Sequence, residues 1–455
     1  MTTFLFMILS AVILTDCPEP DDRPHEVQLT FDAYNHRLDN NDNFSPDDRW
    51  LVYDTRPNDG GIRMGQRIEK VHVPSGKIAT IYRAPNPTIT GPGIAAASYH
   101  PKKHRVVFIH GLTNHSESHP YDWWRRFGMM IDETGPQKPI VVDARDVVPP
   151  FTPGALRGGT HRHEFSGDGK WIGFTYNDAL MATNGKQYSL RTIGVTKLDR
   201  PTRIIGTGDR ANFSGNGTSA LVVRVTSNPS PGSDEINRAS FDSWIGTQGY
   251  TTADGRKQLA RAFLGNVISL SRKEVSELFV VDIPSDLTVP GDYGPLEGTT
   301  ITMPMPPAGA AQRRLTYTTD RRFPGFSGNV RSNADGSMLA CRARDERGID
   351  QVILASPVDG RRHQLTSFES NVQSDIRWHP NGTHVCFVQN NTIVLLNVEN
   401  SAFRRVTSQS LASPFALVWS RNGNAIAFNR ILPDNRSGAL YAQIFIVHIT
   451  ADQLP

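Results

Sequence analysis

Seven times along this chain a short polar turn rich in Pro, Asp, Asn or Gly is followed by a strand in which apolar and polar residues alternate. The copies are Phe44–Tyr53, Tyr99–Phe108, Phe165–Phe174, Phe213–Val222, Arg331–Ala340, Trp378–Phe387 and Trp419–Phe428. Six open on an aromatic residue; the Arg331 copy is the weak one. Asp-Gly and Asn-Gly supply the positive φ that tight hairpins need, and period-two alternation makes a half-buried strand. A second hairpin follows most copies, as in Ile68–Tyr82, turning at Ser75-Gly76, and Gln351–Leu365, turning at Asp359-Gly360. Two hairpins make a four-stranded blade, and a period of about 40 to 65 residues suits propeller blades carrying insertions. The expectation is an all-β chain, a seven-bladed β-propeller over residues 26–455 with long loop insertions on one face. A six-bladed ring is the alternative if the fourth or fifth copy is misread.

The ends fit a ring. Arg314-Leu-Thr316 and Gln364-Leu-Thr366 close blades, and Gln28-Leu-Thr30 has the same form before the first blade. It is expected to supply the outermost strand of the last blade, beside Ile444–Ile449, which removes a free sheet edge. Upstream, Phe4–Leu14 is an apolar run of eleven residues, too short for a bilayer core of about 30 Å and suited to a signal-peptide core. Residues 1–25 are therefore read as a signal and tether. Export to the periplasm or cell surface is expected, with Cys17 as the position for a lipid anchor and no transmembrane span. The 48 basic and 45 acidic residues are interspersed, which argues against nucleic acid as a partner. The three cysteines show no metal spacing, and Cys341 and Cys386 sit in apolar runs as buried thiols.

The Ser-Pro-Asp and Leu-Thr elements resemble those of the TolB-like propellers, which occur in periplasmic Tol proteins, in prolyl peptidases and in oligogalacturonate lyases. The resemblance covers the chain from Val27. Thr152–His161, Phe174–Asp178 and Pro231–Arg238 look like runs in an uncharacterised bacterial family loosely labelled "biopolymer transporter Tol-like". No Gly-x-Ser-x-Gly elbow occurs, which argues against the peptidase branch. The blade motif specifies fold and leaves function to the site.

Propeller topology puts the loops entering each innermost strand and those leaving each second strand on one face. There the sequence places His36, Arg37, Arg56, His110, Arg157, His161, His163, Tyr176, Asp178, Arg331 and Arg342. His161 and His163, at i and i+2 in a strand, are expected to point the same way. Such a pair can hold a divalent metal, with His110, His36 or Gln373 completing the set, or act as base and electrophile. His163-Glu-Phe165 is similar to a His-Glu-Phe stretch of oligogalacturonate lyases, and that likeness implies a metal held by several histidines. Arg157 and Tyr176 join the two histidines as candidate catalytic groups. His36, Arg37, Arg56, Asp178, Arg331 and Arg342 are candidate ligand-binding residues, because arginine forks recognise carboxylates. The alternative for each is an ordinary loop salt bridge or hydrogen bond. The insertions 111–127 and 227–277 are read as binding loops, the second helical over Arg256–Phe263. In them Trp123, Trp124 and Trp244 could stack on sugar rings or pin the loops. Two functions remain open: an acidic-oligosaccharide site, with a metal-assisted uronate lyase as its catalytic form, and a non-catalytic scaffold binding a protein partner.

Overall fold

The computed structural model describes residues 25–39, 42–58, 60–135, 138–205 and 211–455. The stretch Phe4–Leu14 and Cys17 lie outside them. Seven antiparallel sheets follow one another along the chain and form the blades of a β-propeller. Blade one contains Trp50–Asp54, Arg67–His72 and Ile78–Arg83, with Arg37 and Phe44 bridging to Asp54 and Leu51 on its inner side. In blades two to seven the innermost strands are Ile94–Tyr99, Gly158–Phe165, Ile236–Trp244, Phe326–Ser332, Arg377–Trp378 and Phe415–Trp419. Glu26–Gln28 pairs with Leu440–His448, register Glu26 to Val447, and so closes the last blade as the fourth strand. Apolar side chains from facing blades fill the spaces between them, as where Ile193, Val195, Trp244 and Phe263 meet between blades three and four. Cys341 and Cys386 are buried free thiols.

The repeated residues earn their positions by hydrogen bonding. In each Leu-Thr element the threonine hydroxyl accepts a strand N–H and donates to a neighbouring Glu or Gln. Thr366 accepts from Val352 N at 2.9 Å and donates to Gln351 at 2.7 Å. Thr316 accepts from Leu278 N and donates to Glu277, and Thr30 does the same with Ile444 N and Gln443. At the opposite face the serine of the turn motif bonds the residue two ahead and caps the returning strand, as Ser166 does with Asp168 and Trp171 N. His100 and His379 accept turn N–H groups in the same place.

Two expectations need correction. The copy at Phe213–Val222 is not the inner hairpin of blade four; its strand, Thr218–Leu221, is the outermost strand of blade three, paired with Arg191–Lys197. An Asn-Gly turn before an apolar run looks the same at either place. The true inner hairpin of blade four lies in the supposed insertion 227–277, with a small hairpin, Tyr250–Thr251 and Lys257–Gln258, added to its turn. Arg256–Phe263 is accordingly turn and strand, not helix. Its alternating pattern belongs to a blade buried on both sides.

A bulge recurs in the innermost strands. Ala96, Arg162, Phe241, Gly328 and Ala416 all have φ between 52° and 77°, each at a break in register with the second strand. An extra residue there bends the strand and shifts side chains from one side to the other.

Candidate functional site at the channel mouth

The bulge at Arg162 separates the two histidines singled out by sequence. His161 pairs with Thr175 and Glu164 with Gly173, so the regular alternation fails between them. Thr160 and His161 are consecutive strand residues and point to opposite sides. His163 Nε2 bonds the Thr160 hydroxyl at 2.9 Å, so His163 shares the side of Thr160 and His161 faces the other way. The expected side-by-side pair is not formed. His163 is fully buried against blade two, with Asp143 at 3.8 Å, and burial drives its imidazole down to about 3. Asp143 bonds Gly128 N and the Thr160 hydroxyl, and burial raises its carboxyl to about 7.

Apart from Gln373 and the half-buried Arg342, the other predicted residues are buried, most of them in closed groups. Arg157 pairs with Asp178 at 2.8 Å and donates to the carbonyls of Thr299 and Thr302, while Tyr176 donates to Asp178 at 3.0 Å. All three are at most 2% exposed, and Asp178 also caps the helix Ala179–Thr183 through Met181 N. Arg56 binds Asp39 at 2.7 Å, and Arg331 binds Glu164 at 2.9 Å. Arg261 of blade four joins Glu164 to Asp242. Arg342 donates to the Val372 carbonyl at 3.1 Å. Arg37 lies over Phe415. His36 is buried between Tyr34 and Tyr53. His110 uses both ring nitrogens, on the Gly111 carbonyl and the Tyr82 hydroxyl. Gln373 is exposed and bonded to Asn391. Arg56, Arg157 and Arg331 are thus each paired with a carboxylate, and Arg342 with a backbone carbonyl.

His161 alone of the candidate catalytic set is not fully buried, lying half-buried on the side of blade three that faces blade four. Burial, with the charges of Arg126, Arg191 and Arg162, holds its imidazole well below the usual range, so it is neutral at pH 7. These arginines were not anticipated. Arg126 opens the third strand of blade two and Arg191 the third strand of blade three. Arg238 stands near the start of blade four. Arg126 donates to the Tyr121 hydroxyl at 3.1 Å. Arg191 has no hydrogen-bond or ion-pair partner among the described residues, and its Nε is buried. Burial and the charges of Arg126 and Arg238 lower its guanidinium to about 9.

The Gly158-Gly159 pair shapes this mouth. A Cβ on Gly159 would lie 2.1 Å from the Trp123 carbonyl oxygen, so the loop between the second and third strands of blade two rests directly on the strand leading to His161. Trp244 does not stack at the mouth; it is buried and donates to the Glu164 carbonyl.

Among the described residues no group of three or more His, Cys, Asp or Glu is disposed to hold a metal ion. His110 and His163 bond within the protein, and His161 faces away from His163. The residues present do not fit the divalent metal suggested by the resemblance.

The fold defines a seven-bladed propeller, with Arg126, Arg191 and Arg238 near one another across blades two to four. A family described as "Protein of unknown function (DUF3748)" matches residues 93–211, which include the second blade and much of the third. The chain is 38% identical over 410 residues to the uncharacterized protein YidR of Escherichia coli (strain K12), covering 88% of this chain and 94% of that one. The chain belongs to the family of YidR. Two solved structures share the fold: an oligogalacturonate lyase in complex with manganese (11% identity, 95% of this chain and 99% of that one, TM-score 0.53) and the oligogalacturonate lyase of Vibrio parahaemolyticus (10%, 95% and 96%, TM-score 0.54). Solved TolB chains are more distant in shape, with TM-scores of 0.38 and 0.37.

Proposed function

We propose that this propeller is exported and binds the acid group of an acidic oligosaccharide at the channel mouth, between Arg126, Arg191 and His161. The observation that carries the reading is Arg191: a part-buried guanidinium that feels Arg126 and Arg238 more strongly than Asp242, with no hydrogen bond or ion pair among the described residues. Placing an unpaired cation there costs stability, and an incoming carboxylate recovers it through a charge-assisted, bidentate contact. Oligogalacturonate lyases share the fold, and the acid in this proposal is a uronate. Calorimetric titration with a galacturonate trisaccharide, and with the same trisaccharide reduced at its carboxyl groups, tests the reading. Saturable binding of the acidic form only is expected. Equal binding of both forms, or of neither, contradicts it.

A catalytic reading rests on the neutral imidazole of His161. A base beside a bound uronate can take the proton from the carbon next to the carboxylate. The electrons of that C–H bond form the C4–C5 double bond, the C4–oxygen bond breaks, and the departing oxygen takes up a proton. Arg126 and Arg191 would hold the carboxylate as negative charge builds on it. No step here uses a metal. His161→Ala is expected to abolish formation of an unsaturated product while the ligand still binds. Binding without turnover in the unaltered protein would leave it a ligand-binding propeller.

A further inference from the structure

Next to the mouth, on the same face, lies a groove of about 520 Å3 over blades three and four, a size within the range of roughly 300–1,000 Å3 typical of small-molecule sites. Arg191 and Arg238 stand at its wall. Farther along, its character changes. Trp123 and Tyr188, 59% and 46% exposed, border it from the loops of blades two and three. Apart from Leu190, the rest of the lining is amide and hydroxyl with one carboxylate, and includes Asn177 and Asn266. The only carboxylate among its lining residues is Glu274, which accepts from Asn237 at 2.7 Å and from Asn266 at 2.8 Å.

Two exposed aromatic faces bordering one groove offer apolar surface that a ligand can cover. They suit the C–H face of a pyranose ring, which is apolar while its edge carries hydroxyls. Amide side chains can both donate and accept toward such an edge. The Glu274 carboxylate works against a second anionic unit, since like charges at close range repel. We infer that the groove takes an uncharged sugar unit next to the acidic one. The ligand is then a saccharide in which uronate and neutral or N-acetylated units adjoin, rather than a run of uronates. This rests on the reading of the mouth as the acid-binding end.

The test compares three probes by calorimetry with the full chain: glucuronate, a galacturonate tetrasaccharide, and a tetrasaccharide alternating glucuronate with an N-acetylhexosamine. The alternating tetrasaccharide is expected to bind at least tenfold tighter than glucuronate and tighter than the all-uronate chain. In Trp123→Ala and Tyr188→Ala that advantage over glucuronate is expected to collapse. Both side chains are exposed, so the fold should survive. Glu274→Gln is expected to narrow the gap between the two tetrasaccharides. If the all-uronate chain binds as tightly as the alternating one, or if Trp123→Ala leaves the advantage intact, the inference is overturned while the acid site stands. If no probe binds, both fail together.

Discussion

His161 is unusual for what surrounds it: three arginines act on a single neutral imidazole. Each positive neighbour disfavours the imidazolium, so removing one must raise the imidazole's pKa. In Arg191→Gln, NMR titration is expected to show His161 protonating at a higher pH than in the unaltered protein; an unmoved titration would place Arg191 elsewhere. Gly159 offers a second test. In Gly159→Ala the new methyl meets the Trp123 carbonyl, and overpacking of this kind typically costs about 1–3 kcal/mol. Thermal unfolding should show that loss, together with weakened binding of an acidic saccharide, because the displaced loop carries Tyr121, the partner of Arg126. The sequence pointed to His161 through its strand and its glycine pair. It could not point to Arg191 or Arg126. Arginines are numerous, and only tertiary placement decides which of them lack a carboxylate. The same blindness overvalued Arg157 and Arg331, whose partners Asp178 and Glu164 are settled by packing.

At the scale of the blade, the Leu-Thr element works as a lock between neighbouring strands. Thr366→Val removes the acceptor for Val352 N and one of the two donors to buried Gln351 Oε1, leaving only Phe368 N, a loss on the order of 1–3 kcal/mol. Thr316→Val should cost more, because the partner left behind is the buried carboxylate of Glu277. Urea unfolding of the two variants checks both size and order; equal, negligible shifts would mean that the motif is a mere strand ending. The turn serines were readable because their geometry is local, and the Leu-Thr elements because the same short motif recurs at blade ends. The bulge was not. It depends on register with the second strand, and non-glycine residues such as Arg162 and Ala416 occupy it. That single extra residue turned the expected histidine pair into two side chains facing different blades. Blade four was misread for a related reason: its inner hairpin carries an added hairpin that stretched the repeat beyond its usual period.

The whole ring depends on its closure and on buried histidines that stay neutral. Deleting residues 25–30 removes the fourth strand of the last blade, the Thr30 lock and the ion pair between Glu26 and Arg430. Such a chain should unfold at markedly lower denaturant than the intact one. Burial lowers His36, His100 and His110 to about 4 and His163 to about 3. Below pH 6.5 the unfolded chain therefore takes up protons that the native ring refuses. Their contribution is intact above pH 6.5 and is lost as pH falls toward 4. Each histidine accounts for roughly 1–2 kcal/mol between pH 6.5 and 5. Asp143, raised to about 7, acts the opposite way, favouring the native state as pH falls from 7 toward 4, and offsets part of the loss. Urea midpoints should thus fall between pH 7 and 5, and a double variant His36→Asn, His110→Gln should flatten the fall. The most direct test of the molecule as a whole is the affinity for a uronate-containing oligosaccharide at pH 7 and low salt, measured for the intact protein and for Arg191→Gln. Binding that weakens at least tenfold in the variant, with unfolding unchanged or shifted to higher temperature, is the predicted result. Equal affinity in the two proteins would contradict an acid-binding mouth.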